Sequence, residues 1–156
     1  FDLLNLWRIT MQDLPHHYHV KADASSEGDV SLSADNLPTL LSAPPAEFGG
    51  PGDRWSPESL LVAAIADCFI LTFRAIARGS KLSWLSLSCE VEGTLERVEK
   101  TTSFTEYKIK ATLNVPADTD EQRAQRVLEK AEVGCLITNS LSGTTHLEAV
   151  VLVESS

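Results

Sequence analysis

The chain has 156 residues, 43% of them hydrophobic and 22% charged, with a formal net charge of -9. That length can bury a core of its own, and the composition excludes a disordered chain. The acidic balance argues against nucleic-acid backbones and anionic membrane surfaces as partners, and no stretch reaches the roughly 18 uninterrupted apolar residues of a membrane span.

The opening FDLLNLWRIT, residues 1–10, precedes Met11 and lacks the basic start and small-residue cleavage site of a secretion signal. It reads as a vector remnant or an upstream extension and is set apart, leaving residues 11–156 as a single domain. Three cysteines, an odd number, fit poorly with a secreted disulfide framework. A reducing cytosol is the expected compartment.

In chain order, Tyr18, Val20, Ala22 and Ala24 alternate with polar residues, SSEGD supplies a turn, and Val30 and Leu32 resume the alternation, which predicts a hairpin. NLPTLLSAPPAEFGGPGDRW is rich in Pro and Gly and reads as a long irregular connection. A helix starts at Ser56–Pro57, with Ser as N-cap, Pro where its missing N–H costs nothing, and Glu58 in the first turn. It runs to Arg78, with Gly79 as the capping residue beyond its end. Between Glu58 and Arg74 its one charge is Asp67, so it is expected to be buried on most sides.

LSLSCEVEGTLERV places Leu85, Leu87, Cys89 and Val91 on one face of a strand, and FTEYKIKATLNV does the same with Tyr107, Ile109, Ala111, Leu113 and Val115. EKTTS between them is a turn, which makes an antiparallel pair. A second helix follows Pro116, capped by Asp118 with Glu121 or Thr119 with Gln122. Its apolar stripe is Ala124, Val127, Leu128 and Ala131, and Gly134 ends it. CLITNSLSG is a short helix or loop, and HLEAVVLVE is a closing strand. The class is α+β.

Cys89 sits on the apolar face of an alternating strand, where free cysteine packs inertly. Cys68, inside the long helix, and Cys135, just past the second, belong to no C-x-x-C motif or zinc spacing. From the residues alone, each is open between packing and chemistry. His17 and His19 share a strand face and could chelate a metal, but no third ligand stands at sensible spacing; a solvated edge is the plain alternative. Asp67 lies about 100° round the helix from Cys68 and need not touch its sulfur. No G-x-S-x-G elbow is present, and GGPG lacks the lysine and strand of a phosphate loop.

The string SPESLLVAAIADCF, followed by EKAEVGCLITNSL, resembles the OsmC/Ohr family of thiol-dependent hydroperoxide reductases. The shared features are Pro57-Glu58 with Cys68 ten residues after the glutamate, Ala131-Glu132 leading into Cys135 and Asn139-Ser140, and GGPGDRW before the helix. The resemblance spans residues 17–153. It implies an OsmC-like fold, with antiparallel sheets around a long central helix in an interlocked homodimer.

It also implies that Cys68 is the peroxidatic cysteine and Cys135 the resolving one, with an external dithiol of lipoyl type as reductant and no metal, flavin or other cofactor. Family members activate the thiol and the peroxide with an Arg–Glu pair. Glu58 matches the glutamate; the first hairpin offers only Lys21 and His19 where the family carries an arginine, so Arg54 is the candidate. Within one straight helix Glu58 and Cys68 are about 15 Å apart along the axis, so that end of the site requires either a bend or a second subunit. Trp55, Phe69, Phe73 and Phe48 are expected to line an apolar substrate pocket, with core or interface packing as the alternative. Two further readings use the same fold: a non-catalytic binder of small lipophilic molecules, and a redox sensor.

Overall fold

The protein is described by a computed structural model covering residues 12–156; the opening residues 1–10 lie outside the described part. The chain divides into two compact units, one ending at Pro57 and one running from Glu58 to Ser156.

The first unit holds a small antiparallel sheet in the order β1 (Lys21–Asp23), β2 (Val30–Ser33), β3 (Leu40–Ser42). The predicted hairpin is there, with Gly28 at φ 90° in its turn, a conformation glycine adopts without steric cost. The first strand is shorter than the alternation suggested: Tyr18 and Val20 lie before it and are 89% and 65% exposed, so no core face selects their alternation. The stretch expected to be irregular carries β3, a 3-10 turn at Ala46–Phe48 and a bridge from Ser42 to Trp55. Its Leu-Leu-Ser pairs with β2 because that strand's second edge is free to take it.

The second unit begins with α1 (Pro57–Gly79), starting where Ser56–Pro57 placed it. Its end differs from expectation. The left-handed residue is Lys81 (φ 54°), with Leu82 N–H donating to the Ala77 carbonyl at 2.9 Å and Lys81 N–H to the Arg78 carbonyl at 3.2 Å. That pair of bonds is a Schellman closure, with Gly79 still inside the helix. It buries Leu82 beside Ala77 in the core, an apolar contact that outweighs the modest cost of the left-handed turn at lysine.

β4 (Ser86–Val98) and β5 (Thr101–Val115) form the antiparallel pair that the alternation predicted. The turn is tighter than EKTTS implied. Only Glu99 and Lys100 lie outside the strands, both at positive φ, the two-residue turn whose twist matches that of the strands. Every second residue of β5 from Tyr107 to Val115 is buried. The closing strand β6 (Thr144–Val153) pairs with β5 in parallel, making the sheet β4–β5–β6 mixed. A parallel strand needs a crossover, and this one carries α2 (Glu121–Gly134) and the short α3 (Leu136–Asn139).

The buried stripe of α2 is Ala124, Val127, Leu128 and Ala131, as the periodicity requires. Its cap is Asp120 rather than Asp118 or Thr119: the Asp120 carboxylate accepts from the amides of Gln122 at 3.0 Å and Arg123 at 3.2 Å. Pro116 to Thr119 is taken up by a turn closed by Thr119 N–H on the Pro116 carbonyl, which delays the first helical residue to Glu121.

α1 buries less than its composition suggested. Ile65, Phe69, Phe73 and Ala77, spaced four apart, lie in the core with β5 and α2, while Leu71 on another face is 50% exposed. The unit offers this helix one sheet face, which covers one stripe. Gly93 on β4 marks the close approach: a side chain there would meet Val62 and Phe104 at 2.9 Å. By length and composition α1 could cross a membrane; a stripe packed on a sheet is also what a core helix shows.

Candidate active site

Cys68 faces the start of α3. It lies about three turns into α1, partly buried. Cys135 occupies the junction of α2 and α3 in an extended conformation (φ -67°, ψ 105°), closing one helix and opening the next, and is fully buried. Gly134 ends α2, and the Cys135 carbonyl accepts from Asn139 N–H at 3.1 Å and the Thr138 hydroxyl at 3.0 Å, which fixes the junction.

The two cysteines, 67 residues apart in sequence, lie near enough for each to perturb the other's proton affinity. Burial pushes the Cys68 thiol up, but donors outweigh it and leave it below the usual thiol range. They are the main-chain N–H of Ile137, the Cys135 thiol, the Thr72 hydroxyl and the main-chain N–H of Leu136. For Cys135, burial pushes the thiol up and its hydrogen bond to Cys68 holds the proton on, while Thr138 opposes. The surroundings therefore favour the thiolate at Cys68 over Cys135. Amides aimed at a sulfur favour the thiolate because they stabilise the charged form only.

Cys89 lies on the core face of β4, and burial, with the charges of Cys135 and Glu90 adding to it, pushes its thiol up to about 11. That is a packing thiol, inert at neutral pH.

The Arg–Glu end of the expected site is arranged differently. Arg54 belongs to the first unit, where its Nε donates to Asp29 Oδ2 at 2.9 Å and its Nη1 lies 3.7 Å from Asp53 Oδ2. Hydrogen bonding to Asp29 raises its pKa further. Its charge is thus committed within the first unit. Glu58 stands in the first turn of α1, an unbroken helix, so the ten residues to Cys68 correspond to about 15 Å. Its Oε2 is buried without a hydrogen-bond partner among the described residues. Besides Cys135, the groups that lower the Cys68 pKa are main-chain amides and Thr72, which the sequence did not single out. Thr72 was in principle legible, four residues from Cys68 on one helix face. The amides carry no sequence signature.

Of the four aromatic residues expected at a pocket, Phe69 and Phe73 have no accessible surface and pack in the core, Phe73 edge-on to Trp84 with centroids 5.3 Å apart. They face the sheet because they fall on the buried stripe of α1. Phe48 and Trp55, in the first unit, are 61% and 49% exposed. The apolar side chains exposed next to the two cysteines in sequence are Leu71, Val133 and Leu136. His16, His17 and His19 are exposed, and His16 bonds to the Gln12 carbonyl and Tyr18.

A family model described as OsmC-like protein matches residues 50–149, about two thirds of the chain, including both cysteines and Glu58. The chain belongs to the OsmC-like family. Among curated relatives, this OsmC-like chain is 29% identical over 138 residues to the Uncharacterized protein YmaD of Bacillus subtilis, covering 85% of this chain and 91% of that one. It is 24% identical over 136 residues to Peroxiredoxin OsmC of Escherichia coli, covering 83% and 94%. Among solved structures, an organic hydroperoxide resistance protein OsmC from Legionella pneumophila superposes with a TM-score of 0.70 at 26% identity, covering 89% of this chain and 98% of that one. An OsmC-like protein of unknown function from Vibrio cholerae has a TM-score of 0.75 at 17% identity, covering 86% and 100%.

Proposed function

We propose that the protein is a thiol peroxidase that reduces organic hydroperoxides to alcohols. The Cys68 thiolate attacks the terminal oxygen of the O–O bond. The alkoxide leaves with a proton as the alcohol, and Cys68 becomes a sulfenic acid. The Cys135 thiol then attacks that sulfur, expelling water and closing a Cys68–Cys135 disulfide. A small dithiol, a lipoyl-type group being the candidate, reduces the disulfide by two exchange steps, leaving both thiols restored and itself oxidised. The cycle uses only these sulfurs, the peroxide and the dithiol, and it suits a reducing compartment such as the cytoplasm. The supporting observation is the placement of Cys135 beside Cys68, with surroundings that favour the thiolate at Cys68 and the protonated thiol at Cys135. A relative named peroxiredoxin and a structural neighbour named for hydroperoxide resistance point the same way.

Brief treatment with cumene hydroperoxide is expected to remove two hydrogens from the intact mass, with peptide mapping locating the disulfide at Cys68–Cys135. A mass unchanged, or a disulfide involving Cys89, would overturn the cycle.

The working unit is proposed to be a homodimer. Leu71, half exposed on α1, and Glu58 Oε2, buried without a hydrogen-bond partner among the described residues, both suit a second copy, which would cover the one and offer a donor to the other. Light scattering should give twice the chain mass of 17.0 kDa; a monomer at micromolar concentration would count against it.

The commitment of Arg54 to Asp29 favours a second reading, a binder of small lipophilic molecules on the same fold. Ligand binding without hydroperoxide turnover would select it.

A further inference from the structure

Thr72 lies one turn after Cys68 on α1, and its Oγ1 is 3.8 Å from Cys68 Sγ. A threonine inside a helix ordinarily turns its hydroxyl back onto the carbonyl four residues earlier. Here the residue four earlier is Cys68, and the contact is to the sulfur instead. The other branch of the side chain explains the direction. A Cβ placed on Gly134 would come within 3.4 Å of Thr72 Cγ2, so the methyl packs against the end of α2 at the residue before Cys135. With the methyl held there and few rotamers open to a β-branched side chain, the hydroxyl is left facing the sulfur.

We propose that Thr72 is a hydrogen-bond donor to the Cys68 thiolate, aimed by the packing of its methyl group against Gly134. A deprotonated sulfur can only accept, so in the reactive state the hydroxyl donates. Its direction of effect agrees with the lowered pKa of Cys68. The bond is made to the charged sulfur and weakens once that sulfur carries a disulfide, so it favours the state that attacks peroxide. This role deepens the peroxidase reading and rests on it for its purpose. The hydrogen bond itself can be tested without peroxide.

The test is the pH profile of Cys68 alkylation by iodoacetamide, read at the Cys68 peptide by mass. Thr72→Val keeps the shape and removes the donor. Its profile is expected to move to higher pH, with alkylation near neutral pH slowed roughly three- to tenfold. Thr72→Ser keeps the hydroxyl but loses the methyl that aims it, so its profile is expected between those of the wild type and Thr72→Val. A Thr72→Val profile that superposes on the wild type would overturn the proposal. So would Thr72→Ser moving together with Thr72→Val, since the methyl packing alone would then account for the effect. Circular dichroism checks the fold of each, and Thr72→Ala replaces the valine variant if that does not fold. Should the wild-type protein reduce no hydroperoxide while the valine variant still shifts the profile, the peroxidase reading fails and the hydrogen bond stands.

Discussion

Cys68→Ser is expected to abolish turnover of cumene or tert-butyl hydroperoxide with a dithiol donor, a loss on the order of a thousandfold or more. A serine hydroxyl stays protonated where the Cys68 sulfur ionises. The donors of Ile137, Cys135, Thr72 and Leu136 cannot make up a difference of several pH units in intrinsic acidity. Cys135→Ser keeps the first step and loses the second. It should react with one equivalent of peroxide and then stall as a sulfenic acid that dimedone labels at Cys68. Cys89→Ser should turn over like the wild type, because its thiol holds its proton up to about 11 and lies on the packed face of β4. Peroxidase activity retained in Cys68→Ser would sink the mechanism.

Phe73→Ala is expected to lower stability by about 3–5 kcal/mol, read as a fall in the urea midpoint at unchanged slope. The ring is fully enclosed between α1 and the sheet and meets Trp84 edge-on, so truncation removes a large apolar burial and leaves a cavity that helix and sheet cannot close. Against a typical total of about 5–15 kcal/mol, that is a large share. Phe48→Ala, at a position 61% exposed, should stay within about 0.5 kcal/mol of the wild type. A Phe73→Ala variant within about 1 kcal/mol of the wild type would mean that this stripe is not the core.

Periodicity was most informative where one face of an element is sealed. The five alternating residues of β5 and the four-residue stripe of α2 are buried as the pattern requires, because a one-residue slip would turn the whole set to water. It was least informative at ends and edges. Asp118, Thr119 and Asp120 are all competent caps, and only the turn after Pro116 selects Asp120. Tyr18 and Val20 alternate with no core to enforce it. For α1, composition reported that the helix is apolar nearly all round, while which of its faces is covered depended on how many sheet faces surround it.

The candidate site divides in the same way. Cys68 and Cys135 were legible, and so was the resemblance that paired them, because both are carried by side-chain identity and spacing. The asymmetry between the two sulfurs was not legible, because the main-chain N–H groups of Leu136 and Ile137 belong to every residue, and only the turn at Cys135 aims them at Cys68. Arg54 was the natural cation by its closeness to Glu58 in sequence, yet its guanidinium went to Asp29, 25 residues away along the chain. The sequence alone determined most of the elements and their buried faces, since local sterics and the segregation of apolar side chains act over a few residues. Only the tertiary structure decided the parallel closure of β6, the company kept by each charge, and the donors that surround each thiol. Those depend on dipoles and charges brought together from distant parts of the chain, whose strength is set by separations of a few ångströms that no spacing in the sequence encodes.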